Sequence, residues 1–219
     1  MTARKFASSV RRELAQLADP TLAVPMAAYM KGRFAFLGIK TPARRAATRP
    51  LISKQSADLV ESAQALWALP FREYQYVACD LLQRHAGKLP RSSLPSVLRL
   101  ATRKSWWDTV DPLSKVVGTL VLNFPDLAAR AEKLADHDNM WLRRVAILHQ
   151  LGCGARTDSK RLFRICLTNA ADPDFFIRKA IGWALRDYAR HDPAAVRRFL
   201  KQHEGALSSL TLREAGKHL

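Results

Sequence analysis

Apolar residues recur along the chain at the spacing of α-helices. Near the start, Phe6, Val10 and Leu14 lie three to four positions apart and therefore share one helical face. Residues 115–124 have a β-rich composition, but a buried helix suits their neighbours better. The pattern therefore predicts an all-α protein. The same spacing returns in later segments at Leu59, Ala63, Leu66 and Trp67 and at Val77, Leu81 and Leu82.

Prolines indicate where these helices begin and end. Proline has no amide hydrogen and disrupts a helix interior, so each proline between periodic segments predicts a helix boundary. The intervals between them leave only short connections. The prolines assigned to boundaries are Pro20, Pro50, Pro70, Pro90, Pro125, Pro173 and Pro193.

Two stretches of the chain resemble each other, residues 136–148 (DHDNMWLRRVAIL) and 172–185 (DPDFFIRKAIGWAL). Each has an Asp-rich cap, then an aromatic residue, an aliphatic residue and an arginine, and then an apolar helix. Arg143 and Arg178 are 35 residues apart, close to the repeat length of helical-hairpin solenoids. Such units bury their apolar faces by stacking, and the stack curves around a concave groove. The repeat favours a solenoid over an irregular bundle.

The length of 219 residues is compatible with one hydrophobic core, so we expect a single domain over residues 1–219. Lysine and arginine number 36 against 19 acidic residues, which gives a net charge of +17 and a pI of about 10.5. The basic residues run from Arg4 to Lys217 instead of forming a tail, so the folded body carries the charge. This balance favours a nucleic-acid partner over a merely solvated surface.

Cysteine usage and apolar runs indicate a cytoplasmic protein. Cys79, Cys153 and Cys166 are an odd number without close pairs, which fits a reducing compartment. Residues 1–25 lack the apolar core of a signal peptide, and no apolar run reaches the length of a membrane span. We therefore expect no membrane association.

The first candidate for chemistry is the segment 105–112, SWWDTVDP. In a helix, Trp107 and Asp111 are four positions apart and share a face, which pairs an aromatic surface with a carboxylate. Alternatively, Asp108 is an N-cap, Asp111 is the third helical residue and Pro112 still lies in the first turn. Capping leaves two adjacent tryptophans unexplained, because packing absorbs only one of them on a given face.

The second candidate is the segment 180–185. Gly182 costs a helix interior about 1 kcal/mol relative to alanine unless something approaches the backbone closely. Trp183 is either a core residue or an aromatic facing the groove near Arg178 and Lys179. The sequence leaves both interpretations open.

The third candidate is the segment 29–45, in which Lys40, Thr41 and Pro42 form a predicted turn. Thr41 is expected to cap a helix whose free amides, with Arg44 and Arg45, could hold a phosphate. The sequence has no Walker loop, no dinucleotide-binding fingerprint and no His-x-x-x-His or Cys-x-x-Cys metal pattern. Phosphoryl transfer and metal-dependent hydrolysis lose support, and we expect neither a metal nor a cofactor.

Together these stretches resemble the AlkD family of bacterial DNA alkylation-repair glycosylases. The most specific matches are segments 29–45, 106–111, 140–151 and 175–190, and the resemblance covers nearly the whole chain. It implies a right-handed solenoid of HEAT-like antiparallel helical hairpins with a concave basic groove. It also implies hydrolysis of the N-glycosidic bond of cationic alkylpurines, N3-methyladenine and N7-methylguanine, in duplex DNA without base flipping.

The resemblance assigns roles to individual residues of this chain. The family's catalytic carboxylate matches Asp111, its lesion-contacting aromatics match Trp107, Trp183 and Tyr29, and Arg144 matches the arginine beside the lesion strand. Pro112, after the carboxylate, departs from the family pattern. Further candidates for DNA contact or support of the site are Thr41, Arg44, Arg45, Phe175, Phe176, Arg178 and Lys179.

The expected chemistry fits these residue types. Cleavage of an alkylated purine moves positive charge onto the deoxyribose, where Asp111 can stabilise it and orient water. Trp107 and Trp183 can add cation–π contacts of about 0.5 to 2 kcal/mol each. We expect a monofunctional, monomeric enzyme acting at the bacterial nucleoid. The alternatives are a non-catalytic binder of damaged or branched DNA and a scaffold for acidic peptides or RNA.

Overall fold

The structure is a computed structural model that describes residues 1–219, with His218 described by its backbone alone. It contains 13 α-helices, short 3-10 turns and, over these residues, no β-strand. One isolated bridge joins Ala35 and Phe71. The predicted all-α class is confirmed. The handedness of the solenoid and its basic groove stay predictions.

The chain packs as two compact units, Met1–Ser96 and Val97–Leu219. The assignment of residues 1–219 to one domain stays a prediction. Helix α6 (Leu94–Ala101) contains the point in the chain where one unit gives way to the other. The helices of the first unit are α1 (Ala3–Ala15), α2 (Pro20–Tyr29), α3 (Thr41–Lys54), α4 (Leu59–Ala68) and α5 (Arg72–Arg84).

Helix pairs form the core of the first unit. Helix α1 packs on α3 and α4, and both of these pack on α5. Phe6, Val10 and Leu14 of α1 are buried, as their spacing predicts. Helix α2 is the exception, since its composition is apolar but none of its residues is buried.

The predicted proline boundaries hold with one exception. Pro20 and Pro193 are the first residues of their helices. Pro50, in contrast, lies inside α3, so its assignment to a boundary was wrong. Proline at this position cannot donate to the carbonyl of Ala46. Both residues are exposed, so water can bind that carbonyl and the helix continues.

The second unit is a stack of helices with a regular repeat. Helices α7, α9, α11 and α13 each pack on the next of this set, and α8, α10 and α12 pack beside them. Asn139 and Asp174, which cap α9 and α11, are 35 residues apart. The repeat predicted from sequence is therefore present as stacked helical hairpins. The bounds are α7 (Trp107–Asn123), α8 (Ala128–Lys133), α9 (Met140–Leu148), α10 (Ser159–Thr168), α11 (Phe175–Ala189), α12 (Pro193–Gln202) and α13 (Ser209–Ala215).

Glycines mark two close helix contacts in this stack. A Cβ atom on Gly182 of α11 would lie 2.5 Å from Cβ of Glu214 and 3.0 Å from the carbonyl oxygen of Thr211. The expectation of a close approach at Gly182 is confirmed, and the approaching element is α13. Gly118 of α7 faces the carbonyl of His149 in the same way.

No disulfide joins Cys79, Cys153 or Cys166. Cys79 and Cys166 are buried, whereas Cys153 is half-buried. Burial raises the pKa of the Cys153 and Cys166 thiols above that of an ordinary cysteine. Across the described residues, no helix has both the length and the apolar character that crossing a bilayer requires.

Candidate active site

The candidate carboxylate lies in the first turns of α7. The helix follows Trp106, whose backbone is extended and whose carbonyl accepts the amides of Thr109 and Val110. Asp108 is therefore not the N-cap, contrary to the alternative considered from sequence, because the chain turns helical before it. Asp111 lies one turn after Trp107, so the two share a helix face. Pro112 lies in the helix interior instead of the first turn.

The two adjacent tryptophans have different environments. Trp106 is buried, with its ring centroid 5.7 Å from that of Trp141 and 4.9 Å from that of Phe176. The rings of Trp141 and Phe176 are 5.4 Å apart, so the three form one cluster at the beginnings of α7, α9 and α11. Trp107, in contrast, is half-buried. Packing thus takes up one tryptophan and leaves part of the other accessible.

Asp111 is held by a bidentate ion pair. Nε and Nη2 of Arg144 donate to the two carboxylate oxygens of Asp111 at 2.7 and 2.8 Å. Nη1 of Arg144 donates to the backbone carbonyl of Phe176. The Arg144 side chain is only 4% exposed, whereas that of Asp111 is 13% exposed. Arg144 therefore orients the carboxylate from inside the protein, and the carboxylate keeps an accessible edge.

Burial raises the pKa of the Asp111 carboxyl above its ordinary value, and the hydrogen bonds and charge of Arg144 oppose that rise. The neighbouring charge of Asp108 adds to the rise. A guanidinium does not lose its proton in proteins. Protonation of Asp111 would therefore leave a buried positive charge without its counter-charge, which favours the ionised carboxylate.

Helix α11 carries three of the predicted site aromatics. Trp183 is half-buried between buried neighbours, so part of its ring is accessible. Phe175 is 56% exposed, and its ring meets the edge of Phe176 with centroids 5.5 Å apart. Phe176 supports the site through its ring and its carbonyl. The packing of α13 accounts for Gly182, so this glycine needs no ligand to explain it.

Two predicted DNA-binding cations on α11 are engaged within the protein. Nε of Arg178 donates to the backbone carbonyl of Asp172 at 2.7 Å. Nζ of Lys179 donates to Glu214 at 3.1 Å, and its side chain remains 42% exposed. Lys179 and Lys217 hold the pKa of the Glu214 carboxyl well below its usual range. The charge of Lys179 is thus partly neutralised by Glu214 before any ligand arrives, whereas Arg178 is held by a neutral carbonyl.

The predicted residues of the first unit also divide into buried and exposed ones. Thr41 is the first helical residue of α3, and Lys40 is the N-cap without a side-chain bond, so the capping role of Thr41 was wrong. Arg44 is 5% exposed and pairs with Asp80 at 3.0 Å, which leaves it no surface for DNA. Arg45 is 62% exposed and Tyr29 is 73% exposed. Both side chains are thus largely at the surface, and Arg45 also donates to Asp80 at 3.2 Å.

Sequence reasoning missed the partners of these side chains. Asp80, Asp172 and Glu214 were not singled out. The carboxylates of Asp80 and Glu214 pair with Arg44 and Lys179, and the backbone carbonyl of Asp172 accepts from Arg178. Trp141 was missed as a supporting residue, although Trp106, Trp141 and Phe176 are spaced 35 residues apart. In the described part of the chain, no cluster of three or more His, Cys, Asp or Glu side chains has metal-binding geometry.

Comparisons with known proteins agree on one family. A family model described as "DNA alkylation repair enzyme" matches residues 10–219. A solved structure described as "Predicted DNA alkylation repair enzyme from Enterococcus faecalis" is similar to this chain with 33% sequence identity and a TM-score of 0.85. The match covers 92% of this chain and 96% of that chain. Proteins of curated function give no match.

Proposed function

Because the chain belongs to the family of DNA alkylation repair enzymes, we propose that it is a DNA glycosylase for cationic alkylpurines in duplex DNA. The substrates in this proposal are N3-methyladenine and N7-methylguanine. The observation that carries the proposal is the Asp111 carboxylate, fixed by Arg144 and one turn from the partly accessible Trp107.

The carboxylate suits the charge that develops in the reaction. The alkylated base begins as a cation, and as the N-glycosidic bond breaks the positive charge passes to the deoxyribose. A fixed negative group near that sugar stabilises the transition state without reorganisation. Arg144 occupies one edge of the carboxylate, so the remaining lone pairs of Asp111 can face the sugar and the attacking water.

The tryptophans complete the proposed recognition. The faces of Trp107 and Trp183 favour a cationic base or sugar over a neutral nucleoside, and both rings are partly accessible. The lesion stays in the stack instead of entering a pocket. The enzyme leaves an abasic site and does not cut the strand, because a lysine nucleophile plays no part. We further propose that it acts as a monomer in the bacterial cytoplasm, at the nucleoid.

Release of free base tests this function. Wild type is incubated with a duplex that contains N7-methylguanine, beside Asp111→Asn and the matched control Asp108→Asn, which removes a carboxylate from the same helix. We expect base release by wild type and by the control. We expect at least a tenfold lower rate for Asp111→Asn, about 1.4 kcal/mol in the barrier.

Two results would contradict the proposal. Equal rates for wild type and Asp111→Asn would remove Asp111 from the mechanism. Binding of the modified duplex by wild type without base release would indicate a non-catalytic binder of damaged DNA.

A further inference from the structure

A cleft between α3 and α5 in the unit Met1–Ser96 has arginines on both of its walls. Its volume is about 310 Å³. A water molecule takes about 30 Å³ of liquid, so the cleft has room for a larger polar group with its hydration. The side chains that line it belong to Arg45, Thr48, Arg49, Ile52, Ser53, Asp80 and Arg84.

Positive charge exceeds negative charge in this cleft. Asp80 is the one carboxylate among the described lining residues, and its two oxygens already accept from Arg44 at 3.0 Å and Arg45 at 3.2 Å. Arg49 and Arg84 are exposed and add two further guanidinium groups to the same space. The cleft is therefore cationic even after Asp80 is counted.

The positions of these side chains on α3 and α5 bring them into one cleft. Arg45 and Arg49 are one turn apart on α3, and Asp80 and Arg84 are one turn apart on α5. Since α3 packs on α5, guanidinium groups enter the cleft from both walls. This arrangement suits a ligand that accepts hydrogen bonds on several sides.

A buried charge behind the cleft strengthens this field. Arg44 is 5% exposed, and its Nε has no hydrogen-bond partner in the part of the chain that the structure describes. Its Nη2 donates to Asp80, which lines the cleft. The carboxylate is thus shared between two arginines and neutralises neither of them alone.

We propose that this cleft is a phosphate-binding site that holds a phosphodiester of the DNA duplex. Guanidinium groups match the oxygens of a phosphate in pairs, and such contacts position a protein on DNA without reading its sequence. The inference rests on the proposed function for its ligand. It assigns Arg49 and Arg84 to binding and leaves the chemistry to the second unit.

The salt dependence of binding to an unmodified duplex tests the site. The variant is Arg49→Gln with Arg84→Gln, and affinity is measured between about 50 and 200 mM salt. Loss of one phosphate contact should flatten the slope of log K against log salt by about 0.9. Arg4→Gln with Lys5→Gln on α1 makes the same change of charge outside the cleft and should leave the slope unchanged. An unchanged slope in the cleft variant, shown by circular dichroism to be folded, would overturn the proposal.

Two further measurements separate the possible failures. Inorganic phosphate is titrated while the arginine Nε–H signals are followed by NMR. Saturation of Arg49 and Arg84 by phosphate, together with an unchanged duplex slope, would make the cleft a site for free phosphate and overturn its assignment to DNA. The substitutions Arg49→Gln and Arg84→Gln are also made in the Asp111→Asn background, where we expect them to flatten the slope by the same amount, about 0.9. That result would support the cleft even if base release failed, so the two proposals fail independently.

Discussion

Arg144 places two constraints on Asp111 at once, because its two nitrogens fix both the direction and the ionised form of the carboxylate. Its third nitrogen is anchored on the carbonyl of Phe176, whose ring packs against Trp106. The position of the carboxylate on α7 is thus tied to the beginning of α11. A lysine would supply the charge but not the paired geometry.

We therefore expect the Arg144→Lys variant to release base at least tenfold more slowly than wild type. The salt dependence of its binding to duplex DNA should be unchanged. Arg143→Lys on the same helix is the control, since Arg143 pairs with Asp172 and not with Asp111. Arg144→Ala leaves a buried carboxylate without its partner and should cost about 3 to 5 kcal/mol in the free energy of unfolding. Full activity of Arg144→Lys would mean that charge alone suffices.

The charged residues could be identified from the sequence, but the ion pairs between them could not. Arg44 and Asp80 are 36 residues apart, Asp111 and Arg144 are 33 apart, and Lys179 and Glu214 are 35 apart. Local spacing rules cover pairs three or four positions apart on one helix. Arg44 was therefore assigned to DNA although it is buried and pairs with Asp80 on a neighbouring helix. The carboxylate and the tryptophan beside it share one helix, which is why their spacing could be recognised.

At the scale of helices, apolar periodicity predicted the packed elements and the 35-residue repeat predicted their stacking. Both signals depend on burial, so they were weakest where burial is absent. Helix α2 has an apolar composition without a buried residue, and the apolar pattern alone does not explain it. The caps at Thr41 and Asp108 were misassigned because the N-cap is the last residue with an extended backbone before the helix begins. That residue is Lys40 for α3 and Trp106 for α7.

The contact between α11 and α13 gives a prediction for Gly182→Ala. Alanine favours a helix interior by about 1 kcal/mol, but here its Cβ would meet Glu214 and the carbonyl of Thr211. We expect a net loss of about 1 to 3 kcal/mol in the free energy of unfolding, measured by urea denaturation. Gly216→Ala is the control, because nothing lies within 4 Å of a Cβ there. Equal free energies of unfolding for the two variants would show that α11 and α13 can move apart without loss of stability.

At the scale of the whole molecule, the net charge of +17 disfavours the folded state at low pH through self-repulsion. A second contribution comes from His149, which is buried and uses Nδ1 to bind the carbonyl of Ala146 at 2.6 Å. Its Nε2 has no hydrogen-bond partner among the described residues. Burial lowers the pKa of His149 from 6.5 to about 4.

This shift predicts a loss of stability in acid. The unfolded chain binds a proton at this histidine below pH 6.5, whereas the folded chain does so only below about pH 4. The contribution of His149 is therefore constant above pH 6.5 and falls between pH 6.5 and about 4. Between pH 7 and about pH 5, this histidine should lower the free energy of unfolding by about 2 kcal/mol. The free energy of unfolding of His149→Gln should fall less than that of wild type between pH 7 and 5.

The exposed His137 supplies the comparison, since His137→Gln makes the same chemical change without altering a buried group. It should lose stability in acid as wild type does. Each variant lacks one histidine, so a difference between their pH profiles is due to the burial of His149 and not to the loss of a histidine as such. Identical pH profiles for wild type and His149→Gln would rule out its contribution.

The shielded thiols bear on how the protein endures the reagents that create its proposed substrates. Methylating agents react fastest with thiolates, and both burial and a raised pKa keep a cysteine in its unreactive, protonated form. Cys166 is fully enclosed and Cys153 is only half accessible. Both Cys153 and Cys166 should therefore react slowly with the same electrophiles that damage DNA.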